Sequence, residues 1–208
     1  MEGEEVAMTL TIRQLKSEEI SDVASFIATG YQEDVFFKWV VPSDEDRHSV
    51  VNAYYKIYLG AEGAMAYVAE DTNGAMVGAS VWLPHDVDTS IYDDIEQVAG
   101  SYAPQFQAVA NASHDSVPAD GPFYELVGFV TRKDLQGQGI GYQLLKAHLD
   151  AMDEKGIPTY LEASTPFHER SIYRKFGYDH HGDTIAFEND AAFLYPLYRP
   201  AKRIDKLC

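Results

Sequence analysis

Cysteine is almost missing from this 208-residue chain: its single copy, Cys208, is the last residue, which excludes an internal disulfide and any multi-cysteine metal or redox site. Basic residues are scarce as well, with 16 Lys and Arg against 33 Asp and Glu and a formal net charge of -17. Such a balance repels phosphate backbones and anionic lipid, so nucleic acid and membrane surfaces are excluded as expected partners, whereas a cationic ligand is drawn in. Long hydrophobic runs are absent too; none approaches the ~20 residues of a membrane span. The start, Met1-Glu2-Gly3-Glu4-Glu5, is acidic where a signal peptide is basic, so a cytoplasmic protein is expected. No internal repeat, low-complexity tract or linker divides the chain, and one domain over 1–208 is expected, with 1–7 as a flexible tail.

What is present reads as an ordinary globular chain, because 46% apolar and 24% charged residues suffice for one good core despite the charge. Periodicity places a first strand over Met8–Leu15, then a helix capped by Ser17 that carries Ile20, Val23, Ala24 and Ile27 and stops at Gly30. A second helix is expected over about Glu45–Leu59. Strands follow at Met65–Glu70 and Ala75–Leu83 around Asp71-Thr72-Asn73-Gly74, since Asn-Gly between two apolar runs is a strong hairpin signal, and Pro84 ends the second. The stretch 85–122, with a helix around Tyr92–Ala110, is longer than a plain connection and is expected to shape a binding wall. Further along, a strand at Phe123–Thr131, a helix at Gly137–Lys155, a strand at Thr159–Ala163, a helix at Pro166–Phe176 and a closing pair at Thr184–Phe187 and Phe193–Tyr198 complete the pattern.

The segment Leu135-Gln136-Gly137-Gln138-Gly139-Ile140-Gly141 lies between a strand and an amphipathic helix whose apolar stripe is Ile140, Leu144, Leu145, Leu149 and Met152. Glycines there let backbone approach a ligand, and the unpaired amides and dipole of the helix N-terminus favour an anion such as pyrophosphate. A dinucleotide fingerprint fails, because the third glycine position falls on Tyr142, and a phosphate loop of the hydrolase type fails for want of Gly-Lys-Ser/Thr. His180-His181 followed by Asp183 is no metal pair, since adjacent strand residues point to opposite faces, and a surface loop is expected there.

The spacing of Gln136, Gly139 and Gly141 resembles the Q/R-x-x-G-x-G/A motif of the GNAT superfamily of acyl-CoA N-acyltransferases. AMVGASVWLP (Ala75–Pro84), YLEAS (Tyr160–Ser164) and IYRKFGY (Ile172–Tyr178) are similar to successive GNAT segments in the same order, and their wording is most like the branch that includes puromycin N-acetyltransferase. The resemblance spans roughly the last two thirds of the chain. It implies a mixed α+β fold: a mostly antiparallel twisted sheet of six to seven strands, about four flanking helices and a helical insert. It also implies acetyl-CoA as co-substrate, no metal, and transfer to an amine. The pantetheine arm is then held by exposed backbone at Phe129, Val130 and Thr131. The pyrophosphate is held by amides of Gln136, Gly137, Gln138, Gly139, Ile140 and Gly141, with Arg132 or Lys133 adding charge. Where many relatives carry an Asn before the terminal helix, this chain has Thr165-Pro166-Phe167-His168.

Direct acyl transfer needs a base for the amine, a donor for the oxyanion and an acid for the leaving thiolate. Glu125 interrupts an apolar strand, where burial raises its pKa toward useful range, and it matches the strand glutamate that some GNAT enzymes use as base. His85, His168 and Glu162 are further base candidates. Tyr173, expected in the last turns of a helix capped by Thr165, matches the tyrosine that in similar members protonates the departing sulfur. The oxyanion donor is expected at an amide near Val130. A small-molecule amine acceptor suits the enclosing insert. A non-catalytic acyl-CoA sensor and a protein N-terminal or lysine acetyltransferase are the rival readings, and monomer and homodimer both stay open.

Overall fold

The structure, a computed structural model, describes residues 9–119, 121–166 and 171–202. The hairpin forms where Asn73-Gly74 predicts it. The Asp71 carboxylate accepts from the N–H groups of Asn73 (2.8 Å) and Ala75 (2.9 Å), and Gly74 takes φ +78°, a left-handed value that favours glycine. Its strands are β2 (Met65–Glu70) and β3 (Met76–Pro84), and β1 (Thr11–Gln14) adds to the outer edge. β4 (Tyr124–Thr131) pairs antiparallel with β3 and parallel with β5 (Thr159–Ala163). The described strands run in the order β1-β2-β3-β4-β5-β8-β6, where β6 is Asp179–His180 and β8 is Ala192–Arg199; β7 (Ile185–Phe187) pairs with β8. A mostly antiparallel sheet with helices on both faces is therefore present, as expected. It has eight strands where six or seven are expected; the addition is β6, two residues long and too short for a periodicity signal, whereas β7 falls within the expected Thr184–Phe187 strand. His180 consequently lies in a strand, not a loop.

Alternation in β2 sorts the two cores: Ala66 and Val68 face one, Tyr67 and Ala69 the other. The first is covered by α1 (Ile20–Gly30), α2 (Val35–Val40), α3 (Asp44–Gly60), α4 (Ile91–Ala99) and α5 (Ala103–His114). The second is covered by α6 (Ile140–Lys155), which buries the Ile140, Leu144, Leu145, Leu149 and Met152 stripe. Several boundaries differ from the sequence reading for local reasons. Ser17 opens a 3-10 turn instead of capping α1, and the Lys16 N–H donates to the Glu19 carboxylate (3.1 Å). α3 begins at Asp44 under Ser43, which accepts from the Asp46 N–H (3.2 Å). The single helix expected around 92–110 is two, broken where Gly100 adopts φ +56°. α6 starts at Ile140, since Gly137 and Gly139 hold positive φ. The last helix, α7, spans only Ile172–Lys175, capped by Ser171 rather than Thr165, while Phe167 and His168 lie outside the described residues.

Two packing details bear on the site. Buried Arg47 donates to the carbonyls of Gln32 (2.9 Å), Val41 (2.9 Å) and Pro42 (3.0 Å), which fixes the segment between α1 and α3. Gly30 ends α1 so close to β4 that an added Cβ would lie 2.1 Å from Val130 Cγ1. Gly30→Ala is thus expected to lower the unfolding free energy by about 1–3 kcal/mol, as overpacking does. Denaturant midpoints test this, and Val130→Ala in the same background should return part of the loss.

Behind the sheet, the ring of His148 on α6 is fully buried, stacked 3.8 Å from Trp82, with both nitrogens unpartnered among the described residues. Burial, and secondarily the Lys155 charge, push its pKa down to about 3. A base whose folded pKa is depressed contributes stability that is present above its ordinary 6.5 and lost as pH falls toward 3. Between those values wild type should lose unfolding free energy faster than His148→Phe, by at most about 1.4 kcal/mol per pH unit. Equal slopes in pH-dependent denaturation would refute it.

Candidate active site

β4 and β5 pair only over Tyr124–Leu126 and Thr159–Leu161; beyond them β4 runs on to Thr131 with β3 alone as neighbour. The edge of β4 that β5 leaves is the first element of the site. The Phe129 N–H donates to the Tyr31 hydroxyl (2.9 Å), the Tyr31 O–H donates to the Phe129 carbonyl (3.3 Å), and the Tyr55 O–H donates to the Val127 carbonyl (2.8 Å). Arg132 N–H bonds across to Val77 O on β3 (2.9 Å). Backbone groups alternate in direction along a strand, so Phe129 and Thr131 turn toward the open edge, whereas Val130 turns to β3. The Val130 amide, near which an oxyanion donor is expected, thus faces β3, and it is the neighbouring Phe129 amide that faces the edge; the Val130 side chain is buried against Gly30.

The open edge leads to the glycine turn. Gly137 and Gly139 hold φ +84° and +82°, with open space where a Cβ would stand. Helical bonding starts with Gln143 N–H to Gly139 O (3.1 Å), which leaves the amides of Ile140, Gly141 and Tyr142 without an acceptor within the helix. A cavity of about 290 Å³ lies there, lined among others by Thr131, Gln136, Gly139, Ile172 and Lys175. These features fit a diphosphate joined to an extended arm: donor amides at a helix N-terminus, a cradle free of side chains, and strand backbone beside it. Gly141 keeps the floor open, since a Cβ would meet Phe129 Cζ at 2.9 Å. Gln138 is exposed and outside the cavity lining, Lys133 is exposed, and Arg132 is paired with Asp134 (2.8 Å). Lys175 falls within the IYRKFGY segment, but nothing local marks it as a cavity residue, because the glycine turn that it faces lies 38 residues earlier at Gly137.

Glu125 stands at the closed end of the divergence, opposite Tyr160 of β5, with Glu162 two residues farther along. Glu162 is held on both oxygens, accepting from Ser113 Oγ of α5 (2.6 Å) and from the Tyr160 O–H (2.8 Å). Glu125 is half-buried and its carboxyl has no hydrogen bond among the described residues. Burial, then repulsion from Glu162, push its pKa up to about 8; Glu162 is raised as well, by burial, against the pull of its two hydrogen bonds. The charge of Glu125 is felt by Tyr54, Tyr58 and Tyr92, which places α3 and α4 around it. A carboxyl whose charged form is disfavoured by burial and a like neighbour sits beside one held by hydrogen bonds. His85 is exposed, beside Phe123 (5.2 Å between rings) and Asp86.

Tyr173 lies in the first turn of α7, its N–H donated to Ser171 Oγ (3.3 Å), and not in the last turns of a longer helix. Its ring packs on Phe129 (6.2 Å) and Tyr178 (5.9 Å). Burial, then the neighbouring Tyr31 and Tyr178, hold its hydroxyl well above the usual phenol range, so it remains a donor. The fold thus gathers Glu125, Phe129, Tyr173 and the glycine turn along one strand. Tyr31, Tyr55 and Ser113 join them without any signal in the sequence.

Residues 108–193 match the family described as Acetyltransferase (GNAT) domain, a span that holds β4, α6, β5 and α7. No curated protein matches the chain in sequence. Among solved structures, a histone acetyltransferase HPA2 and related acetyltransferase from Corynebacterium glutamicum aligns with TM-score 0.67 and 16% identity over 95% of this chain and 99% of its own. Arylalkylamine N-acetyltransferase 2 from Aedes aegypti aligns with TM-score 0.63 and 11% identity over 93% and 100%. The NatC complex bound to Gag peptide and CoA aligns with TM-score 0.54 and 13% identity over 94% and 100%. The chain has the fold of these acetyltransferases, and over residues 108–193 it matches the GNAT acetyltransferase domain.

Proposed function

We propose that the chain is a single-domain N-acetyltransferase that moves an acetyl group from acetyl-CoA to the primary amine of a small molecule. The observation that carries this reading is the continuous track along β4: a carboxyl at Glu125, backbone at Phe129 and Thr131 on the edge that β5 leaves, with the Phe129 groups bonded to the Tyr31 hydroxyl, and a phosphate cradle from Gln136 to Gly141. Acetyl-CoA supplies the activated acyl group. Amides of Ile140 and Gly141 hold its diphosphate, with Lys175 as a counter-charge, and Phe129 and Thr131 hold the arm. Glu125 takes a proton from the bound ammonium, the free amine then attacks the thioester carbonyl, and as the C–S bond breaks Tyr173 gives a proton to the departing thiolate and is restored by the second proton that the new amide nitrogen sheds. Ser113 of the 85–122 insert reaches Glu162 beside the base, which supports an enclosed small acceptor over an open peptide groove.

The net charge of -17 and the two carboxylates favour a cationic acceptor and disfavour nucleic acid. No helix among the described residues is long and apolar enough to cross a membrane, and a cytoplasmic location goes with the reading. The wording of Ala75–Pro84 and Ile172–Tyr178 resembles the puromycin N-acetyltransferase branch, so an aminonucleoside belongs in the acceptor panel. Thiol release from acetyl-CoA with monoamines, diamines, an aminonucleoside and lysine peptides tests the proposal. Turnover confined to small amines is expected. Turnover on peptides alone would overturn the acceptor class, and binding of acetyl-CoA with no turnover on any amine would make the chain a sensor.

A further inference from the structure

Tyr31 is the first residue past α1, anchored by its N–H to the Ile27 carbonyl (3.0 Å). Its ring is packed between Phe37 (4.7 Å) and Tyr55 (5.7 Å, stacked). From there its hydroxyl accepts the Phe129 N–H at 2.9 Å and donates to the Phe129 carbonyl at 3.3 Å. One side-chain oxygen therefore serves Phe129 as a neighbouring strand would, at the place where β5 has turned away. Burial raises the hydroxyl to about 12, so it stays protonated and can donate and accept together. The segment is also tied across the divergence: Ser164 Oγ at the end of β5 donates to Asp34 (3.0 Å), whose other oxygen caps α2 through the Phe37 N–H (3.1 Å).

We propose that Tyr31 sets the affinity of the chain for acyl-CoA, because its hydroxyl occupies the two Phe129 backbone groups that an amide of the pantetheine arm or the acyl carbonyl takes. This rests on the cofactor assignment made above. The Phe129 N–H has one proton to give, so Tyr31 and the arm compete for it; binding requires the hydroxyl to withdraw from a tightly packed ring position. Tyr31 is a positioning residue, and the nucleotide end of the co-substrate, cradled at Gly137–Gly141, does not meet it.

Calorimetric titration of the full chain with acetyl-CoA and with 3′,5′-ADP, a probe that lacks the arm, separates the two ends. Tyr31→Phe keeps the ring and removes the competing hydroxyl. It should tighten acetyl-CoA about 2- to 12-fold, the worth of one ordinary hydrogen bond, lower the KM for acetyl-CoA by a similar factor, and leave 3′,5′-ADP unchanged. The unchanged nucleotide probe also reports an intact fold. Acetyl-CoA binding that is unchanged or weaker in the variant, or both probes shifting together, overturns the inference alone. Wild-type protein that binds neither probe overturns the cofactor assignment and this inference with it.

Discussion

Glu125→Gln is expected to lower kcat/KM by about 100- to 1,000-fold, within the usual range for a lost general base, and to change the shape of the pH profile. The carboxyl stands half-buried beside Glu162, and burial first and that neighbour second push it up to about 8. Its ionised form is the base, so the wild-type rate should climb with pH through about 8 and then level. Glutamine cannot take a proton, so the variant's rate should follow the free acceptor amine and keep climbing toward about 10, the range of an alkyl ammonium. A variant that kept the wild-type limb would place the base elsewhere.

A companion change, Glu162→Gln, removes the repulsion and leaves the burial. The limb should move to lower pH without reaching the ordinary 4.5. Stability distinguishes chemistry from unfolding. For an acid whose folded pKa is raised, the contribution to stability is full below 4.5 and lost as pH rises through about 8. At pH above that window Glu125→Gln should unfold no more easily than wild type, so lost activity there reports lost catalysis.

How far the sequence reaches depends on the range of the interaction behind each feature. The hairpin at Asn73-Gly74 and the stripe from Ile140 to Met152 were legible because turn chemistry and helical spacing are local. Thr159–Ala163 was legible as a short apolar run between breakers. α2 was not: VFFKWV is six residues long and apolar at every position but Lys38, so no periodicity distinguishes helix from strand, and its cap at Asp34 is a single residue. Within the site, Glu125 is legible as the one carboxylate in an apolar strand. What raises its pKa is not, because Glu162 is 37 residues away and its partner Ser113 lies 49 residues from it on a different element. The Tyr31 to Phe129 bond spans 98 residues, and a tyrosine after a helix stop has nothing local to distinguish it. A family likeness points to Val130 as a cofactor contact because a motif specifies positions, whereas the direction of a backbone N–H is set by register against β3.

Tyr173→Phe is expected to lower kcat about 10- to 100-fold, toward the lower end for acid catalysis because a thiolate is already a fair leaving group, while the affinity for acetyl-CoA stays within about twofold. The phenol is poised for one direction only. Burial and the neighbouring Tyr31 and Tyr178 keep it protonated, so it can give a proton but cannot serve as a base. Its place is fixed from both sides of the divergence: the ring lies against Phe129 of β4, and against Tyr178, whose O–H donates to Thr159 Oγ1 of β5 (2.8 Å). Phenylalanine preserves both ring contacts and removes only the O–H, which has no hydrogen bond among the described residues, so neither the fold nor the cradle should respond. The dependence on leaving group isolates the role: with acetyl thioesters of increasingly acidic thiols the need for a donated proton fades, and the deficit of the variant should shrink in step. A deficit that stays constant across those thioesters assigns Tyr173 to packing against Phe129 rather than to proton transfer.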